Sequence, residues 1–145
     1  MLYSMRKSAG FTLIEIMLVI SILAIIMVLG FPNFIRARLN ANETAAVHTV
    51  RSLSTALESY RSAQSPDSYP ALLTDLSGAS PSYIDAAWTN GQKQGYQFTY
   101  TRVSTNQFTL TAVPVTTNLT GNRGFFVDET GIIRVGTDNT GIAIE

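Results

Sequence analysis

The sequence predicts an α+β fold, a long N-terminal α-helix packed on a roughly four-stranded antiparallel sheet. Three observations carry this prediction. Residues Phe11–Phe31 form an apolar run broken by one ionisable side chain, Glu15. Leu39, Ala46, Val50, Leu53, Leu57 and Tyr60 then recur at steps of seven, four, three, four and three, which places them on one helical face. From Gly95 the apolar period changes to two, as in half-buried strands.

The apolar run comes first. At ~1.5 Å of rise per residue, a helix of about 21 residues crosses about 30 Å of hydrocarbon. A secretory signal would have a shorter apolar core, about 7–15 residues, and would end in small-residue cleavage chemistry. Here the run ends in Gly30-Phe31-Pro32. A plain membrane anchor fits the length but leaves Glu15 without a reason. A carboxylate at a span centre costs about 2.5–3.5 kcal/mol, and less toward the end. Cleavage between Gly10 and Phe11 would create a free amine four residues from Glu15, a partner for that charge in low dielectric. The amine could belong to the same helix, about one turn away, or to a neighbour offset along the axis.

Pro32 lacks an amide proton and its ring crowds the carbonyl of Val28, so a kink or local opening is expected there, with Gly30 weakening the same turn. Beyond it, residues 32–64 read as the amphipathic half of the helix. Asn40, Glu43, Thr44, Arg51, Ser54 and Arg61 fall mostly off its apolar stripe. The helix should stop between Ser62 and Ser65, because Pro66 disfavours helix at the residue before it. His48, also off the stripe, reads as a solvated surface residue.

Residues 65–145 read as a globular head. Leu72, Leu73 and Leu76 follow Tyr69-Pro70 and suit one short helical turn on the long helix; Ser77-Gly78 and Ser80-Pro81 mark turns. Tyr83, Ile84 and Trp88 are expected to tuck against the head. Tyr96, Phe98 and Tyr100 share one strand face, and Phe108, Leu110 and Ala112 share another, joined through Ser104-Thr105-Asn106. GFFVD and GIIRV follow, joined through Asp128-Glu129-Thr130-Gly131. The tail GTDNTGIAIE is either a loose end or an added edge strand.

Composition narrows the function classes. The chain has 145 residues, room for one modest core. Its net charge is zero, and no basic stripe interleaved with aromatics appears, so nucleic acid is not indicated. It has no cysteine and one histidine, which argues against disulfides, thiolate metal sites and a Ser-His-Asp triad. Neither a nucleophile elbow nor a phosphate-binding glycine loop occurs. Asp128, Glu129 and Asp138 lack EF-hand spacing and read as turn residues. Asn118-Leu119-Thr120 matches a glycosylation sequon, a short pattern given little weight. No cofactor or metal is expected.

The segment RKSAGFTLIEIMLVISILAIIMVLGFPNFIRAR, Arg6 to Arg38, resembles the N-terminus of type IV pilins and of the pseudopilins of type II secretion. The resemblance implies that residues 1–10 are a prepilin leader, although Met5 offers an alternative start. It implies that Gly10 precedes the prepilin-peptidase cut and that Phe11 becomes the N-methylated N-terminus. Glu15 would then be the carboxylate of an assembly salt bridge, and Pro32, with Gly30, the helix break. Residues 11–31 would be the transmembrane and assembly helix. The implied partners are membrane lipid, the peptidase/methyltransferase, the inner-membrane assembly machinery and further copies in a helical filament. The implied location is the bacterial inner membrane before assembly, then a surface pilus or a periplasmic pseudopilus. Arg6 and Lys7 precede the apolar run and Arg36 and Arg38 follow it, so charge alone does not orient the span. Two other readings remain open at this point: a secretion pseudopilin, and a binding or enzymatic domain that uses the helix only as a tether.

Replacing Gly10 with a bulky residue is expected to leave an unprocessed precursor. Mass spectrometry of membranes reads this directly, and normal processing of the variant would remove the cleavage assignment.

Overall fold

In the computed structural model, residues 10–85 and 91–144 are described, with backbone only at 29–32. The expected burial of Trp88 falls outside the described residues. Helix α1 spans Leu13–Ser62. The chain divides into two compact units, Met1–Arg36 and Ala37–Glu145.

In the first unit the chain enters α1 from an exposed, non-helical Gly10-Phe11-Thr12. Helical backbone continues through positions 29–32, and the axis bends there, between Leu13–Val28 and Asn33–Ser62, where the kink at Pro32 is expected. Between Phe11 and Val28 every large apolar side chain is at least 45% exposed, on all sides of the helix. Ser21 hides its hydroxyl by donating to the Met17 carbonyl at 2.7 Å, which suits a polar group within an apolar stretch.

In the second unit one stripe of α1 is buried. Ala46, Val50, Leu53, Ala56 and Leu57 lie in the core, with Tyr60 half-buried at its edge and Leu39 half-buried before it. The helix stops at Ser62, within the stretch limited by Pro66, and tightens as it ends: Ala63 N–H donates to the Tyr60 carbonyl and Gln64 N–H to that of Arg61. The short helix α2, Leu73–Gly78, buries Leu76, and its start is capped when Leu72 N–H donates to Asp75 Oδ2 at 2.9 Å. Tyr83 stands edge-on to Tyr60, with ring centres 5.7 Å apart.

The sheet has six strands where the period-two runs suggest about four. They are β1 Gln92–Lys93, β2 Tyr96–Ser104, β3 Gln107–Pro114, β4 Phe125–Asp128, β5 Arg134–Val135 and β6 Ile142–Ala143. Each pairs antiparallel with the next in chain order. Strands β1, β5 and β6 have two residues each, too short for periodicity to reveal. Strand β1 turns back through Gln94 (φ 50°) and Gly95 (φ 78°), the left-handed pair that a two-residue hairpin needs. The polar–apolar tail resolves as the edge strand β6. The β2–β3 turn is Thr105-Asn106, one residue shorter than the expected loop, because a bulge between Arg102 and Ser104 absorbs the extra residue.

Alternation then places the core. Tyr96, Phe98, Phe108, Leu110, Ala112, Phe125 and Val127 face the α1 stripe as one cluster. The 65–72 connection is fastened to the same sheet. Tyr69 N–H donates to the Thr105 carbonyl at 2.9 Å, its ring meets Phe108 edge-on at 4.7 Å, and Tyr100 Oη donates to the Pro70 carbonyl at 2.7 Å.

Gly121 is buried where a Cβ would stand 2.1 Å from Tyr96 Oη and 2.6 Å from its ring. Gly121→Ala is therefore expected to lower stability by about 1–3 kcal/mol through overpacking. Denaturant titration of the detergent-solubilised chain checks this; unchanged stability would mean that Tyr96 can leave its position freely.

Candidate assembly site

Leu13–Val28 cannot bury its apolar surface within its own unit, so the chemistry of its entry point matters most. Sequence spacing puts Thr12 immediately before the helix and Glu15 three residues later, the T-x-x-E arrangement of a capping box. The structure forms both halves of it. Glu15 N–H donates to Thr12 Oγ1 at 3.3 Å, and Thr12 N–H donates to Glu15 Oε2 at 3.5 Å, both long contacts. The carboxylate thus turns back toward the helix N-terminus, where the positive end of the helix dipole favours it. Gly10 and Phe11 adjoin that end and are exposed, Phe11 by 77%. Glu15, Phe11 and Gly10 are therefore neighbours at one helix end, with Thr12 the member that the sequence reading above passed over. Its signal was present in the T-x-x-E spacing. Gly30 and Pro32 lie more than three turns further on and take no part in this cluster.

No single helix among the described residues is long and apolar enough by itself to cross a membrane; Leu13–Val28 qualifies, by length and composition, only together with Asn33–Ser62.

The second polar cluster is one that periodicity did not reveal. Glu43, expected off the apolar stripe, is only 5% exposed. Its Oε2 accepts from Arg123 Nε at 2.6 Å and its Oε1 from Asn122 N–H at 2.9 Å. Beside it Asn42 Nδ2 donates to the Thr120 carbonyl at 2.9 Å, and Tyr96 Oη donates to that of Arg123 at 2.9 Å. The 120–123 loop is thereby held to α1 by charge and hydrogen bonds. Burial pushes the Glu43 carboxyl up, but the Asn122 amide and the Arg123 guanidinium outweigh it and hold the group below its ordinary value.

The remaining acidic residues serve turns. Asp128 Oδ1 accepts from Thr130 N–H at 3.0 Å, and Asp138 Oδ1 accepts from Thr140 N–H and Oγ1 at 2.9 and 2.6 Å. The Thr140 hydroxyl and amide lower the Asp138 carboxyl. His48 is exposed on α1. Among the described residues no group of three or more His, Asp or Glu side chains converges as a metal site.

A long N-terminal helix followed by an antiparallel sheet is an α+β, pilin-like layout. The profile of the prokaryotic N-terminal methylation motif matches residues 5–31. Over 40 residues the chain is 50% identical to the type IV wide pilus major component PilA4 of Thermus thermophilus. That stretch is 28% of this chain and 30% of the relative, so the match spans less than a third of either protein. In this N-terminal segment the chain is similar to type IV pilins. No solved structure matches it significantly.

The Glu43 contacts yield a prediction about pH. A carboxyl whose value is lower in the folded than in the unfolded chain adds stability that is full above about 4.5 and is lost as pH falls through the folded value. Glu43→Gln is expected to destabilise the chain by about 1–2 kcal/mol at neutral pH, since Arg123 is half-exposed and partly screened. The gap between variant and parent should close on acidification below 4.5. Urea titrations at several pH values measure both, and a gap that ignores pH would reject the assignment.

Proposed function

We propose that the chain is a structural subunit of a type IV pilus-like filament. It is made as a membrane-anchored precursor, cut after Gly10, N-methylated at Phe11, and polymerised through its apolar helix. The observation that carries this reading is the all-round exposure of Leu13–Val28 beside a carboxylate at its first turn. Such a surface needs lipid before assembly and other helices after it. Sixteen residues of unburied helix would otherwise drive aggregation, because an exposed apolar patch of that size marks an interaction site or a liability.

Glu15 has a role in each state. In the precursor it accepts the Thr12 amide and closes the capping box. After cleavage the Phe11 amine appears at the same helix end, and the carboxylate can neutralise that charge or the corresponding amine of a neighbour. In this reading the pairing converts an insertion penalty into a contact that sets the axial register between subunits. The PilA4 relative, a wide-pilus component, supports a fibre subunit as the product.

Glu15→Gln keeps the hydrogen-bonding shape of the capping box, since Gln serves at the same position. Membrane insertion and cleavage are therefore expected to persist while filament yield falls at least tenfold. Shearing filaments from cells and immunoblotting both fractions tests this. Normal filaments from the variant would remove the pairing role.

A further inference from the structure

A recess opens within the second unit, between the end of α1, helix α2 and the chain that follows α2. It encloses about 580 Å³, within the range of small-ligand sites. Its walls are fixed by the core beneath them. Tyr60 and Tyr83 pack against that core and meet edge-on, their rings inclined at 70°. Tyr83 N–H donates to the carbonyl of the buried Leu76 at 2.9 Å. Asp75 Oδ2 is held by the Leu72 amide at 2.9 Å, which leaves Oδ1 for a ligand.

Gln64, Thr74 and Ser80 complete the lining. Among the described residues, the Gln64 amide and the hydroxyls of Thr74, Ser80, Tyr60 and Tyr83 have no hydrogen-bond partner in the chain. No Lys, Arg or His lines the recess, and Asp75 is its carboxylate.

That chemistry selects a ligand class. An anionic ligand would meet Asp75 with no balancing cation, so phosphates, nucleic acids and uronic acids are disfavoured. A purely apolar ligand would desolvate the amide and hydroxyls without pairing them. An ammonium suits the carboxylate, but it only donates and leaves the Gln64 amide hydrogens unused. A neutral sugar meets every demand. Its C–H face lies against an aromatic ring, and its hydroxyls both donate and accept.

We propose that this recess binds a neutral saccharide, with Tyr60 and Tyr83 as its stacking corner and Gln64, Thr74, Ser80 and Asp75 Oδ1 pairing with the sugar hydroxyls. The site belongs to the head alone and is independent of membrane anchoring and of polymerisation.

Gly78 supplies the blocking variant. It is the last residue of α2, it lines the recess, and a Cβ there would meet nothing within 4 Å. Gly78→Leu therefore adds bulk to the recess from open space. The full chain is solubilised in lauryl dimethylamine oxide, because glycoside detergents would compete, and mixed with maltose, cellobiose, lactose or chitobiose. Saturation-transfer NMR reads contact with the ring protons of each sugar. At least one of these disaccharides should receive saturation, and Gly78→Leu should abolish it with an unchanged urea midpoint. Gln64→Ala/Thr74→Ala removes side chains that have no partner in the chain. It should weaken binding about tenfold, the loss of two neutral hydrogen bonds, and it decides the matter if Gly78→Leu does not fold. No transfer to any of these sugars, or transfer that the folded variants retain in full, would overturn the proposal. Transfer to lysinamide in place of the sugars would make the recess an ammonium site and overturn it equally.

Discussion

One constraint governs this molecule: a single helix, α1, must satisfy two different surroundings. Its second unit supplies a sheet against which Ala46, Val50, Leu53 and Leu57 disappear from water. Its first unit supplies nothing of the kind, and the side chains of Leu13–Val28 stand exposed on every side. At about 25 cal/mol per Å² of apolar surface, a run of that length cannot stay in water. Everything proposed about membrane, processing and filament follows from the need to cover it.

The polar residues of α1 sit where the surroundings change. Glu15 and Thr12 close the N-terminal turn, at the one place where the apolar helix has unsatisfied amides. Glu43 lies inside the second unit, where a carboxylate would be costly without Arg123 and the Asn122 amide. The two glutamates are chemically alike and do different work. The first is satisfied locally and remains exposed, available to a partner. The second is committed to a loop eighty residues away and is spent on holding the head together.

Much of this was legible from residue order. The apolar run, the amphipathic stripe and the two long strands β2 and β3 are periodic over enough residues to show their faces. The Gly10-Phe11 junction and Glu15 stood out because a lone carboxylate in an apolar run is energetically conspicuous. Thr12 was equally legible, through its spacing to Glu15, once the helix start was read as a cap. The two-residue strands were not. Gln92–Lys93 and Ile142–Ala143 carry no alternation of their own and exist because a longer neighbour offers them a ladder.

The sequence by itself determined the local properties: where α1 begins and stops, which stripe it buries, and that its first half is apolar on every side. These depend on contacts between residues three or four apart, or on hydropathy summed along one segment. Only the tertiary structure decided that Glu43 is buried, that Arg123 neutralises it, that Gly121 must leave room for Tyr96, and that the sheet has six strands. Those outcomes depend on residues brought together across 25 to 80 positions of chain, and no pattern within one segment encodes the meeting.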